Sequence, residues 1–198
     1  MALDMDEIVE QAKMLMLEHG SVSSAVFGDS DDEDDPFLMA IGFENTEEKD
    51  NFFTKVMPTI TIKKNFKEVV IFTQAKMFKA NKELMNEDGS FELTEDTECK
   101  DSLFFLHVKR GEDKAESRMI EVIKEPGFPC KFEDMGIEIQ DISTSLFSMV
   151  IPPEHYWKKY EQDPEFKLNL DRAYECIKEL YVKEVDGSIP EPSNRVLN

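Results

Sequence analysis

Where the alternation of apolar and polar residues breaks down, this chain is most informative. Residues 67–78 read KEVVIFTQAKMF, with Val69, Val70, Ile71 and Phe72 in succession. Strand side chains point to opposite faces in turn, so an unbroken apolar run needs cover on both. The run predicts a central strand with helices against at least one side. Residues 37–42, FLMAIG, read the same way, and residues 22–27 predict a shorter strand. A helical period governs residues 5–19, where Ile8, Ala12, Leu15 and Met16 make one stripe. Asp4 is placed to cap that helix, with Glu7 as capping-box partner and Gly20 as left-handed C-terminal cap. His19 sits in the last turn, where the helix dipole favours it.

Asn45 caps a second helix, with Glu48 three residues on, and Phe52, Phe53 and Val56 point to the core. Pro58 is expected to end it, leaving residues 59–66 as a Lys-rich connection. Strand 37–42, this helix and strand 68–74 then form a candidate βαβ unit with parallel strands and a right-handed crossover. Residues 79–101 are polar, with Asp88-Gly89 as a hairpin turn. Residues 103–109 and 118–124 are strong strands joined too closely for a crossover, so they should pair antiparallel. Residues 130–132 and 137–142 are weaker strands, and the state of 146–151 stays open.

Pro152-Pro153 marks a boundary, followed by the aromatic segment HYWKKY. Asp163-Pro164-Glu165 then opens a long helix with a stripe of Phe166, Leu170, Ala173, Ile177 and Leu180. The expected fold is α/β or α+β: a mixed sheet of five to seven strands with helices packed on it and a long C-terminal helix. The first two helices should share one face, and the C-terminal helix should take the other or reach a second subunit. Residues 1–150 form the α/β domain, 151–185 the C-terminal helical segment, and 186–198 a flexible tail.

Charge changes this picture in one respect. The 198 residues carry a net charge of -20, unevenly spread. Residues 1–50 hold -13 and residues 81–198 hold -12, whereas residues 51–80 hold +5. Such a chain repels phosphate backbones overall, which disfavours nucleic acid as a partner. The basic island places Lys63, Lys64 and Lys67 before the central strand and Lys76 and Lys79 after it. These are candidate anion-binding residues, although a strand of about seven residues spans ~23 Å and puts the two groups at opposite ends. The competing reading pairs them with acidic loops. Three cysteines without CxxC spacing argue against a disulfide framework and suit a reducing, cytoplasmic compartment. No apolar run approaches the ~20 residues that span a bilayer.

Candidate chemistry is sparse. Asp29, Asp31 and Glu33 imitate the first three ligand positions of a calcium loop. The imitation stops there, because Asp34 stands where that loop needs Gly and Ala40 where it needs a bidentate Glu. No cofactor is expected beyond weak divalent-cation binding at this turn; the default reading is a solvated acidic turn. Cys99, His107 and Cys130 lack zinc-ligand spacing, no GxSxG elbow occurs, and neither phosphate-cradling glycine pattern is present. Tyr156, Trp157, Tyr174 and Tyr181 are candidates for a partner interface. They serve equally well as the staple that seats the last helix on the sheet.

The order helix, His19-Gly20, strand, acidic loop, strand, helix and VVIFTQAKMF resembles small prokaryotic or viral proteins of uncharacterised function in which such a strand ends in Glu-Ala-Trp. The matching stretch here is Gln74-Ala75-Lys76, which departs at two of those three positions. The resemblance covers about residues 5–78 and implies no activity.

The leading expectation is a non-catalytic cytoplasmic protein acting through protein contacts, including self-association as a homodimer. One alternative is a divalent-metal-dependent hydrolase with carboxylates drawn from separate strands. Another is an acidic nucleic-acid mimic or modulator.

Overall fold

The computed structural model describes residues 3–30, 37–78, 99–126, 129–143 and 145–181. Six strands form one sheet: β1 (Ser24–Ser30), β2 (Phe37–Ile41), β3 (Phe66–Phe78), β4 (Cys99–Lys109), β5 (Lys114–Ile123) and β6 (Lys131–Asp141). Their order is β2-β1-β3-β4-β5-β6, and every neighbouring pair is antiparallel. The class is α+β, with an antiparallel rather than a mixed sheet. The expected βαβ unit is split. β2 and β3 do run in the same direction, since each is antiparallel to β1, but β1 lies between them.

β3 is buried on both faces, as its apolar run requires. Val69 and Ile71 enter one core and Val70 and Phe72 the other. The second core is roofed by α1 (Met5–His19) through Ile8, Val9, Ala12 and Met16. Asp4 accepts from the backbone N–H groups of Asp6 and Glu7, and Gly20 closes the helix at φ 73°.

The first core holds everything else, which corrects the expected distribution of helices. α2 (Thr46–Asn51) starts at Asn45, whose side chain accepts from Glu48 N–H. It does not stop at Pro58. A π-helical turn at Phe52–Val56 leads into α3 (Met57–Lys63). Proline has no N–H and its ring crowds the carbonyl four residues back, and the wider π turn relieves both problems. The Lys-rich connection expected at 59–66 is therefore mostly helix, with Ile60 and Ile62 buried.

α4 (His155–Gln162) and α5 (Pro164–Tyr181) then pack against α3, on the same side of the sheet. Asp163 caps α5 by accepting from Glu165 and Phe166 N–H. The buried stripe runs through Leu170 and Tyr174, flanked by Phe166 and Ile177; Ala173 is exposed. The side chain of Leu180 lies outside the described residues. Thr61 donates to the Val150 carbonyl at 2.7 Å, and Lys63 donates to Asp171 at 2.7 Å, tying α3 to both later segments. Arg110 forks onto Glu154 with two 2.9 Å bonds and stacks on Trp157, its guanidinium 4.1 Å from the ring centre.

The two weak strands expected at 130–132 and 137–142 are joined in one strand, 131–141, with a β-bulge. Met135 and Gly136 together oppose the single residue Met119. Gly136 takes φ 93°, a conformation that side chains disfavour, and Asp134 Oδ1 accepts its N–H at 2.9 Å.

Candidate functional site

On the face that α1 covers, the apolar core gives way to polar residues at one end of the sheet. Asp29 on β1 lies opposite Glu68 on β3, and Val70 lies opposite His107 on β4, which in turn faces Glu116 on β5. Asp29, Glu68 and His107 are all buried. His107 Nε2 donates to Glu68 Oε2 at 2.7 Å, and its Nδ1 lies 3.7 Å from Glu116. The second oxygen of Glu68 accepts the backbone N–H of Leu3 at 2.8 Å, which anchors the start of the chain. This arrangement satisfies a buried imidazole and fixes residue 3 over the sheet. Carboxylates from separate strands do meet a histidine here, yet among the described residues no group of His, Cys, Asp and Glu is arranged to hold a metal ion.

A cleft of about 140 Å³ opens beside this pair, lined by His107, Lys109, Glu112, Lys114, Glu116 and Ile139. Ile139 leads onto the feature that sequence reasoning missed. β6 is the last strand of the sheet, and Met135, Ile137 and Ile139 on it are 57%, 59% and 61% exposed. Ile137 lies opposite Arg118 and Ile139 opposite Glu116, so both point to the α1 face. α1 does not reach them. Six strands about 4.8 Å apart span ~24 Å between the outer two, while one helix is only ~10 Å wide. The alternation of Ile137 and Ile139 with Glu138 and Gln140 announces a half-buried strand; among the described residues no helix roofs it.

The strand's charges are as unusual as its apolar row. β6 carries Glu133, Asp134, Glu138 and Asp141 against Lys131. Arg118 reaches across from β5, donating to Asp134 and to Asp6 of α1. Its hydrogen bond holds the Asp134 carboxyl below the ordinary range, against the opposing effect of burial. The Ser143 hydroxyl and N–H do the same for Asp141. Asp134 and Asp141 therefore stay ionised to lower pH than an ordinary carboxyl.

The other candidate residues are dispersed. Asp29 is the penultimate residue of β1, whereas Asp31 and Glu33 lie outside the described residues, as does Lys79. Lys63 pairs with Asp171 and Tyr160 at the end of α3, and Lys76 stands 3.8 Å from Asp101 far along β3. Lys64 lies over the Phe37 ring and Lys67 stands near the start of β3, so the described lysines do not form one patch. Trp157 and Tyr174 are buried against α3 and Tyr156 is half-buried, placements that fit a staple for the C-terminal helices. The Tyr181 side chain is outside the described residues. Cys99 and Cys176 are exposed and Cys130 half-buried, all three as free thiols, with His107 engaged elsewhere. No helix among the described residues is long and apolar enough to cross a membrane.

Compared with known proteins, the chain matches no family model, no curated protein and no solved structure.

Proposed function

We propose that this chain is a non-catalytic protein that works through protein–protein contacts, with the β6 end of the sheet as its contact surface. The observation that carries the reading is Ile137 and Ile139, neighbours on one face of an edge strand and both more than half exposed, with Met135 also exposed at the bulge. Contiguous apolar surface on an edge strand is a recognition element or an aggregation hazard. The bulge at Gly136 and the four carboxylates of β6 are devices that oppose indiscriminate pairing, so the surface is selective. A second copy of this chain would bring the same acidic strand against it, which favours a different protein as partner.

The test immobilises the full chain and exposes it to soluble extract of the cells that make it. Wild type and an Ile137→Asp/Ile139→Asp variant are compared, after checking that both melt alike. A protein retained by the wild type and lost by the variant supports the reading. Identical retention by both, or by neither, contradicts it.

A further inference from the structure

Resting on that reading, we propose that β6 takes an extended partner segment as a seventh strand, and that this segment alternates apolar residues with lysine or arginine. The first ground is topological. β6 ends the sheet, so the backbone groups on its outer side have no neighbouring strand among the described residues. The bulge at Met135 and Gly136 divides the strand, and Asp134 already accepts the Gly136 N–H. That leaves residues 137–141 as the stretch able to pair. Main-chain hydrogen bonds would supply affinity there, and alternate side chains specificity.

The second ground is the two-sided chemistry of that stretch. Ile137 and Ile139 face the α1 side, so partner residues opposite them are apolar and gain burial with both isoleucines. Glu138 and Gln140 point to the other side, while Asp141 closes the stretch on the isoleucine face, opposite Lys114. Partner residues interleaved with the apolar ones therefore meet Glu138 and Gln140, and a cation suits the position beside Glu138, as it does the end of the stretch beside Asp141. β6 as a whole holds four carboxylates and one lysine, and the whole chain carries -20. Like charges across a strand pair are destabilising, so an acidic segment is rejected while a basic one is drawn in. Met135 beside the bulge adds an adaptable apolar contact.

The probe is a seven-residue peptide, blocked at both ends, that alternates lysine with isoleucine and valine. Two relatives serve as controls: one with glutamate in place of every lysine, and one with proline at the central position. Binding to the full chain is followed by fluorescence anisotropy, and hydrogen exchange reports on the amides of residues 137–141 that point away from β5. The lysine peptide is expected to bind and to slow exchange at those amides. Both control peptides, and the lysine peptide on an Ile137→Ser/Ile139→Ser variant of unchanged charge, should bind at least about tenfold more weakly.

Equal binding of the proline peptide, or of the lysine peptide to the serine variant, would reduce the effect to general charge attraction and overturn the proposal. So would slow exchange, before any peptide is added, at the amides of residues 137–141 that point away from β5. At monomer mass by light scattering, that result would mean the chain covers its own edge; at doubled mass, a second copy does. Failure here, with partner retention still lost in the Ile137→Asp/Ile139→Asp variant, would remove the seventh strand but leave the protein-contact reading standing. Retention unchanged in that variant would remove the reading itself.

Discussion

The ring of Phe66 occupies the space in which a side chain on Gly28 would begin: a Cβ there would lie 2.4 Å from Phe66 Cε2. Phe66 is fully buried and packs on Phe37 with ring centres 5.4 Å apart, so it cannot swing out of the way. Gly28→Ala is therefore expected to destabilise the fold by about 1–3 kcal/mol, the usual penalty of overpacking. Urea denaturation measures it. A Gly28→Ala/Phe66→Leu double variant should recover part of the loss, and an unchanged midpoint for Gly28→Ala would show that the ring has room to move.

Val70 and Ile71 are neighbours in sequence that belong to different cores. Val70→Asp and Ile71→Asp should each abolish soluble expression, because a carboxylate in either core has no partner. The penalty of several kcal/mol approaches the stability of a whole domain. Either variant remaining soluble with a cooperative melt would contradict the two-faced burial of β3.

Glu68 serves two donors at once, His107 Nε2 and Leu3 N–H. Glu68→Ala should cost about 2–3 kcal/mol, since it leaves a buried imidazole and a backbone donor without that acceptor. Glu68→Gln, which keeps one acceptor oxygen, should cost less. Equal losses for the two substitutions, read from urea midpoints, would show that the hydrogen bonds are not what matters at this position.

Asp134 links acid stability to the β6 edge. Its carboxyl is held below the ordinary value by the Arg118 hydrogen bond, with Gly136 N–H adding to the effect. A depressed folded-state value means that the carboxylate stabilises the fold above the unfolded-state range of about 4. That contribution is lost as pH falls through the folded-state value. Because the side chain is partly exposed, the effect at neutral pH should be about 1 kcal/mol or less. The difference in melting temperature between wild type and Asp134→Asn should shrink as pH is lowered toward 3. A difference independent of pH would show that the pair contributes through packing rather than charge.

The parts of the fold legible in sequence are those set by local chemistry. Asp4, Gly20, Asn45 and Asp163 mark helix ends because each cap is made within a few residues. The four-residue run at Val69 betrays the central strand because no exposed strand tolerates it. Legibility fails where distant parts of the chain decide. Nothing near β2 says that β1 will lie between it and β3. Pro58 reads as a stop because the π turn that absorbs it leaves no residue signature. On α5, Ala173 and Tyr174 lie 100° apart around the helix, and only the position of α3 selects the tyrosine. The candidate site failed to show for the same reason. Alternation puts Ile137 and Ile139 on one face, but whether a helix covers that face depends on the width of the sheet.

The contact reading is tested most directly by photo-cross-linking in the cells that make the protein. A photoreactive amino acid is placed at residue 137, and in a separate chain at Leu168, an equally apolar and half-exposed position on α5. The account expects a discrete heavier adduct from position 137, containing a different protein, and none from position 168. No adduct from 137, or the same adducts from both positions, would contradict it.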